Sequence, residues 1–148
     1  MNKVPVRVAL LSIQDWCVLH FKDVTHDRAA PAHWFLTIPV NPGALFLLCI
    51  ITSQVEKRVH YYHKINPKAA QSVVRLEARR FSFLPKESLI DCNAAELLSI
   101  EELEKRVNRG KGLKIEAQQI PAELKKRIKS AIINSPLVSP AIKMQLNH

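Results

Sequence analysis

One uninterrupted apolar run, Ala44 to Ile51, constrains the fold more than any other feature of this sequence. It is far shorter than the roughly 20 apolar residues that span a bilayer, so it does not predict a transmembrane helix. The run ends at once in the polar triplet Thr52-Ser53-Gln54, which is typical of a buried β-strand that leaves the core at a turn. We expect no membrane partner, and the absence of a signal-peptide pattern predicts a cytoplasmic location.

Two further runs, rich in aromatic and β-branched residues, precede this strand. Trp16 to Phe21 and Trp34 to Ile38 are bounded by polar or proline-containing loops, and the turn Asn41-Pro42-Gly43 leads into the third run. The connections are too short for crossover helices, so the three strands are predicted to pair as an antiparallel meander. The 148 residues of the chain are enough for one hydrophobic core.

The middle of the chain predicts three more strands and one helical turn. The strands lie at Ser72 to Leu76, Phe81 to Leu84 and Ser88 to Cys92. Asn66-Pro67 supplies an N-cap and a first-turn proline for a helical turn through Ala70. The predicted fold class is therefore mainly β with α (α+β).

Helices dominate the rest of the sequence. Ser99 and Glu102 form a capping-box pattern that opens a helix over one side of the sheet, and Asn108-Arg109-Gly110 predicts its end. After Pro121 a basic amphipathic helix is predicted, and one or two short helical turns follow it. The apolar face of this amphipathic helix contains Leu124, Ile128 and Ile132. We predict a β-rich domain over residues 1–110 and a basic helical C-terminal extension over residues 111–148.

The cysteines do not predict a metal or redox site. Cys17, Cys49 and Cys92 are odd in number, far apart and without the paired Cys-x-x-Cys spacing that such sites use. Buried free thiols are the expected state. We predict no metal and no cofactor.

The charge of the chain is basic and unevenly distributed. The net charge is +9, and residues 108–148 contribute +6 of it. Such an excess favours a polyanionic partner, which can be nucleic acid, an acidic protein or an anionic membrane surface. Charge alone does not choose among these partners.

Five short segments, read in chain order, favour one class of polyanionic partner and one function. They are Asp15 to Phe21, Ile51 to Gln54, Ser72 to Leu76, Leu89 to Asp91 and Leu98 to Leu103. In order and character they resemble the MazF/PemK family of toxin ribonucleases, and the likeness extends over about Gln14 to Val107. The most specific piece is Ile51-Thr52-Ser53, which is similar to the Ile-Thr-Ser that ends a hydrophobic strand in that family.

The resemblance implies both a fold and a function. The fold would be a small SH3-like antiparallel β-barrel with a packed helix, here followed by the C-terminal helical extension. The function would be that of the toxin component of a toxin-antitoxin system, a metal-independent endoribonuclease that cleaves single-stranded RNA. The implied partners are single-stranded RNA, an antitoxin protein and a second copy of the chain in a homodimer.

Candidate catalytic residues lie in the first loop and at the end of the third strand. The family places an Arg-Pro before its second strand, whereas this chain has Ala30-Pro31, so nearby Arg28 and His33 are the candidate substitutes. His26 flanks the same loop, where function concentrates on a rigid sheet. Thr52 and Ser53 complete the predicted set as hydroxyl donors. The histidines can instead be solvated, and the hydroxyls can instead satisfy the following turn.

A second set of residues is predicted to contact RNA. Lys57 and Arg58 would bind phosphate, while His60 and Tyr61, in the sequence His60-Tyr61-Tyr62-His63, would stack on bases. The remaining cations of this set are Arg79 and Arg80. The alternatives are a solvated face for the cations and an edge strand for the His-Tyr-Tyr-His segment. His20 is a further titratable group, and Asp91 is predicted to cap the turn at Asn93.

The missing Arg-Pro keeps a different function open. In that alternative the chain is a non-catalytic SH3-like barrel that binds RNA or protein and has lost the ribonuclease chemistry. A basic tail that docks an acidic partner is a third possibility.

Overall fold

A computed structural model describes residues 5–23, 31–41, 45–107, 112–116 and 119–146. Its contacts divide the chain into two compact units. The first unit contains the residues up to Leu48 together with Glu96–Gln119, and the second contains Cys49–Ala95 and the residues from Ile120 onward. The domain boundary predicted at residues 110 and 111 lies outside the described residues.

Seven strands and five α-helices make up the described chain. The strands are β1 (Cys17–Phe21), β2 (His33–Asn41), β3 (Leu45–Thr52), β4 (Val73–Leu76), β5 (Ser88–Asp91), β6 (Glu96–Ser99) and β7 (Lys114–Glu116). The helices are α1 (Val6–Leu11), α2 (Val55–Ile65), α3 (Ile100–Arg106), α4 (Ala122–Asn134) and α5 (Pro140–Met144). Short 3-10 turns occupy Ala69–Gln71 and Cys92–Ala94.

The first unit is built around β1, whose side chains are buried on both faces except at His20. β1 pairs antiparallel with β2 on one side and with β7 on the other. β2 is followed by β3, whose first four residues pair antiparallel with β6. The stacked rings of Phe21 and Phe35, with centroids 4.5 Å apart, fill part of the core between these strands. Aromatic and β-branched residues suit such strands because they pack well on a pleated surface.

Helix α3 begins where the sequence predicts it. The Ser99 hydroxyl accepts the Glu102 N–H, and the Glu102 carboxylate accepts the Ser99 N–H, so the capping box is complete. Glu104 then accepts two hydrogen bonds from the Arg7 guanidinium on α1. Arg106, in the last turn, donates to Asp23 and Glu96, which holds the end of the helix against the first unit.

The second unit contains the end of β3 and the basic C-terminal helices. Ile51 pairs with Ile90 on β5, and β5 pairs antiparallel with β4. Helix α4 packs on β4 and on the turn Cys92–Ala94, because its apolar residues recur every four positions and form one face. The buried residues of that face are Leu124, Ile128 and Ile132, as predicted.

Several predictions are confirmed. The chain is α+β, all described strand pairs with a recorded register are antiparallel, and eight of the strands and helices, β1 to β5 and α3 to α5, lie where the sequence places them. All three cysteines are buried, and burial raises the pKa of the Cys17 thiol to about 11. Within each unit the described strands pair along an open path, so a closed barrel is not confirmed.

Other predictions are wrong or incomplete. Phe81 to Leu84 is not a strand but a pair of turns, entered at Arg79 with a backbone φ of 66°. His60 to His63 is not an edge strand, because it lies within helix α2. Four elements, α1, α2, β6 and β7, were not predicted from the sequence. The turn at Pro42-Gly43 and the helix stop at Asn108-Arg109-Gly110 lie outside the described residues.

None of the described helices has both the length and the apolar character needed to cross a membrane.

Candidate nucleic-acid interface

The turn after β3 uses the Thr52 hydroxyl for its own structure. Thr52 is buried, and its Oγ1 accepts the backbone N–H of Gln54 at 3.1 Å. Ser53, the next residue, is exposed. The Gln54 carbonyl then accepts the Arg58 N–H at 3.1 Å, which starts helix α2. Of the two predicted hydroxyl donors, therefore, Thr52 caps the turn and Ser53 faces solvent.

Helix α2 brings three of the predicted RNA-binding residues to one surface pocket. The pocket has a volume of about 300 Å³ and is lined by Gln54, Lys57, Arg58 and Tyr61. Their spacing of three and four positions places them side by side on one helical face. The buried residues of α2 are Val55 and Tyr62, which attach the helix to the core. We call the four lining residues the α2 pocket.

A buried carboxylate fixes one cation of the α2 pocket. Asp91 is 0% exposed, and its Oδ2 accepts hydrogen bonds from Arg58 Nη1 at 3.1 Å and from the Tyr62 hydroxyl at 2.6 Å. Its Oδ1 accepts the Asn93 N–H at 3.1 Å, which confirms the predicted cap. A buried carboxylate needs such donors, because an unpaired buried charge is strongly unfavourable. The Arg58 guanidinium is thereby held at the pocket with a third of its side chain still exposed.

Tyr62 acts as a hydrogen-bond donor in this cluster. Burial raises the pKa of the Tyr62 phenol, and the hydrogen bond to Asp91 and the charge of Asp91 raise it further. The phenol is therefore protonated at neutral pH and donates to Asp91. Tyr61, its neighbour, is 55% exposed and lies edge-on to Tyr62 with ring centroids 5.3 Å apart. One tyrosine thus supports the pocket from inside while the other offers a ring to solvent.

The other predicted RNA-binding residues do not join the α2 pocket. His60 is exposed on α2 but is not among the described lining residues. Arg79 is exposed in the turn after β4. Arg80 donates to Glu123 at 2.9 Å, so part of its charge is neutralised locally. The structure therefore brings together Lys57, Arg58 and Tyr61 out of the predicted set.

The first unit presents a separate set of polar and aromatic side chains. On β1, His20 lies opposite Trp34 of β2 and opposite Lys114 of β7 in the strand registers. The His20 and Trp34 rings are 4.5 Å apart and tilted by 50°. Burial lowers the pKa of His20, and the positive charges of Lys114 and His33 lower it further. The neutral form of His20 is therefore favoured at pH 7.

The predicted catalytic residues have different outcomes. His33 is half-buried at the start of β2, where its ring lies edge-on to Phe35 with centroids 6.5 Å apart. His26 and Arg28 lie outside the described residues. The His20 Nδ1 atom is buried without a hydrogen-bond partner in the described part of the chain, so this atom has unused hydrogen-bonding capacity.

Asp91 and His20 could be named from the sequence, but their part in organising these sites could not be predicted from it. Asp91 was expected to cap a turn, but its role as the anchor of Arg58 and Tyr62 depends on α2 being a helix. The i, i+4 spacing of Arg58 and Tyr62 would have indicated a shared face if the helix had been recognised. His20 is a single polar residue in an apolar strand, which is the pattern that indicates it.

The arrangement suits phosphate and base contacts. A fixed guanidinium and a lysine can bind phosphate, and an exposed tyrosine ring beside them can stack on a base. No group of three or more His, Cys, Asp or Glu side chains within residues 5–23, 31–41, 45–107, 112–116 and 119–146 is placed to hold a metal ion. No protein-family model and no curated protein sequence matches the chain.

Proposed function

We propose that the protein binds single-stranded RNA at the α2 pocket and cleaves it as a MazF/PemK-like endoribonuclease toxin. The observation that carries the proposal is the position of Arg58 beside Lys57 and Tyr61, with its guanidinium anchored by the buried Asp91. The proposal includes the remaining implications of the resemblance: an SH3-like barrel, a homodimer, an antitoxin partner and a cytoplasmic location.

Binding at the α2 pocket follows from its charge and its aromatic ring. None of the four described lining residues is acidic, so the positive charge of Lys57 is not offset by a lining residue, whereas that of Arg58 is paired with the buried Asp91. A guanidinium held in one orientation loses little side-chain freedom when it contacts phosphate. Base stacking on Tyr61 would add sequence-tolerant affinity for an unpaired strand. Double-stranded RNA does not offer its base faces for such stacking.

Cleavage would use the RNA's own 2′-hydroxyl as the nucleophile. A base takes the proton of the 2′-hydroxyl while the 2′-oxygen attacks the adjacent phosphorus, and an acid protonates the departing 5′-oxygen. The products are a 2′,3′-cyclic phosphate and a 5′-hydroxyl end. A cation supports the negative charge that develops on the phosphoryl oxygens. The candidate base and acid are His26 and His33, and Arg28 is the candidate cation, as the resemblance implies.

A non-catalytic RNA-binding protein is the second candidate. One observation favours it: Thr52, whose hydroxyl was expected to contact phosphate, is buried and accepts a hydrogen bond from Gln54. In this candidate the α2 pocket holds the strand in the same way, but no bond is broken.

The test incubates purified protein with a fluorescently labelled single-stranded RNA in the presence of EDTA. We expect fragments with 2′,3′-cyclic phosphate ends, and slower cleavage by Lys57→Ala and Tyr61→Leu variants. Loss of one stacking contact of about 1.4 kcal/mol would reduce the rate at subsaturating RNA roughly tenfold. Lys86→Ala, at an exposed lysine outside the α2 pocket, is the matched control and should cleave at the wild-type rate.

The possible results separate the two candidates. Tight binding without fragments, under all ionic conditions tried, would reject the nuclease and support the non-catalytic protein. Absence of binding would reject both. In bacteria, expression of the wild-type chain should arrest growth with fragmented RNA, whereas normal growth with intact RNA at good expression would contradict the toxin assignment.

A further inference from the structure

A second and larger groove lies within the second unit, apart from the α2 pocket. Its volume is about 770 Å³, and none of its lining residues belongs to α2. One wall is helix α4, which contributes Lys126, Arg127 and Ser130. The other wall is formed by Lys68 and Gln71 near the 3-10 turn and by Val73 on β4. We call this the α4 groove.

The α4 groove owes its shape to the sequence of α4. Its lining positions on the helix recur at spacings of three and four residues, so they form one stripe beside the buried apolar face. Beyond Arg127 this stripe continues with Ser130, Ala131 and Asn134, which are small or short side chains. On the α4 wall, long basic side chains therefore line the groove at Lys126 and Arg127, and smaller side chains line it at Ser130, Ala131 and Asn134.

The charges of the α4 groove are not neutralised locally. Lys68, Lys126 and Arg127 are exposed, and their side chains make no hydrogen bond or ion pair with the described part of the protein. No acidic residue is among the described lining residues. Glu123, which lies one helical turn before Arg127, is instead paired with Arg80 at 2.9 Å.

Two arginines of the second unit outside the groove differ in this respect. Arg75 is paired with Glu56 at 3.3 Å, and Arg58 is paired with Asp91. Like charges held together without a counter-charge repel one another, and a bound polyanion relieves that repulsion. The concentration of unpaired cations at one groove therefore indicates an anionic ligand.

We propose that the α4 groove binds the sugar-phosphate backbone of single-stranded RNA. The proposal rests on RNA being the ligand of the protein and adds a second contact site for the same strand. Lys68, Lys126 and Arg127 contact phosphates, while the neutral donors Gln71 and Ser130 contact phosphate or sugar oxygens. No described lining residue is aromatic, so the groove holds the backbone without stacking on bases and is indifferent to sequence.

An acidic protein would satisfy the same charge but fits the groove less well. Protein interfaces depend on aromatic or large apolar anchors in their buried centre. The apolar side chains of the α4 groove are only Val73, Val74 and Ala131 among its described lining residues. The binding test includes an acidic polypeptide for this reason.

The experiment measures binding of a fluorescent 2′-O-methyl RNA dodecamer by anisotropy between 50 and 200 mM KCl. Methylation removes the 2′-hydroxyl nucleophile, so binding is measured without cleavage. The test variant is Lys68→Ala/Lys126→Ala/Arg127→Ala. The control variant, Lys22→Ala/Lys86→Ala/Lys105→Ala, removes the same charge at exposed lysines outside the groove.

We expect the wild-type affinity to fall more steeply with salt than that of the test variant. Three lost phosphate contacts reduce the slope of log K against log salt by about 2, which is roughly a 20-fold difference over this salt range. The control variant should keep the wild-type slope. Equal slopes for the test and control variants would overturn the proposal, as would displacement of the RNA by poly-glutamate at equal charge concentration.

A Lys57→Ala/Tyr61→Leu variant, measured in parallel, separates this proposal from the proposed function. If it binds RNA weakly while the groove variant binds like the control, the α4 groove is rejected and the α2 pocket stands. If the groove variant alone is weakened, the groove stands and the α2 pocket is rejected. Since the three groove residues are exposed, the melting temperatures of wild type and test variant should agree, which excludes unfolding as the cause.

Discussion

The Tyr62 hydroxyl donates a 2.6 Å hydrogen bond to Asp91, a carboxylate that is completely buried and that also anchors Arg58. The bond therefore serves two purposes. It compensates the removal of a charge from water, and it is made to the same Oδ2 atom that orients the Arg58 guanidinium. Stability and the proposed RNA binding therefore depend on the same carboxylate.

Tyr62→Phe should destabilise the protein. The substitution keeps the ring but removes one donor to the buried carboxylate, and loss of such a hydrogen bond costs about 1–3 kcal/mol. Urea unfolding followed by circular dichroism measures the change in the free energy of unfolding. The control is Tyr61→Phe at the exposed neighbour, where the change should stay within about 0.5 kcal/mol. Equal effects of the two substitutions would contradict the role given to Tyr62.

Thr52→Ala should lower stability, because the Gln54 N–H at the start of α2 loses its acceptor. The expected decrease in the free energy of unfolding is about 1 kcal/mol. Thr52→Ser keeps the hydroxyl and should recover most of this loss. If Thr52→Ala abolished RNA cleavage while its urea midpoint matched wild type, the hydroxyl would be catalytic and not a cap.

The pH dependence of stability should contain a contribution from His20. Burial lowers its pKa in the folded state, so between the folded and unfolded pKa values the unfolded chain binds more protons. Stability therefore rises with pH through this window, and the contribution is complete above the unfolded value of about 6.5. It is lost as the pH falls toward the folded pKa.

Unfolding experiments at a series of pH values from 4.5 to 7.5 test this on wild type and His20→Gln. We expect the variant to have a shallower rise in stability across the window, whatever its absolute stability. A wild-type slope in His20→Gln would contradict the assignment.

Ser135→Ala should destabilise the second unit. The Ser135 hydroxyl is buried, donates to the Asn93 side-chain carbonyl at 2.7 Å and accepts the Leu137 N–H at 3.1 Å. Its removal leaves two buried or half-buried groups without partners, at a cost of about 1–3 kcal/mol. Ser130→Ala on the exposed side of α4 is the control. Hydrogen exchange of α4 amides should increase in the first variant only.

The sequence predicted most reliably the elements whose pattern is local. The capping box at Ser99 and the apolar spacing of Leu124 to Ile132 each determine one helix without help from distant residues. Helix α2 was missed because its tyrosines and β-branched residues favour strands, and only the burial of Val55 and Tyr62 selects the helix. The strand predicted at Phe81 to Leu84 is wrong because the aromatic residues that suggested it pack against each other within turns.

The residues of the candidate site could be predicted from the sequence, but their positions relative to one another could not. Lys57, Arg58 and Tyr61 could be named from charge and aromatic character. Their common face depends on the helix, and the fixed position of Arg58 depends on Asp91, which is 33 residues away in the chain. No local pattern indicates a contact of that separation. The same reason explains why the α4 groove, which joins residues near 70 to residues near 130, was not predicted.

The hydrogen bond between Ser135 and Asn93 also bears on the order of events during synthesis. The side-chain amide nitrogen of Asn93 donates to the Ala69 carbonyl, and its side-chain oxygen accepts a hydrogen bond from the Ser135 hydroxyl. The second bond can form only after Ser135 has been synthesised. While the ribosome is still adding the residues of α4, strand β4 and the turn at Asn93 have no helix against them. The second unit therefore completes its core only after the basic C-terminal segment has emerged, and nascent chains stopped before that point leave apolar β4 surface open to chaperones.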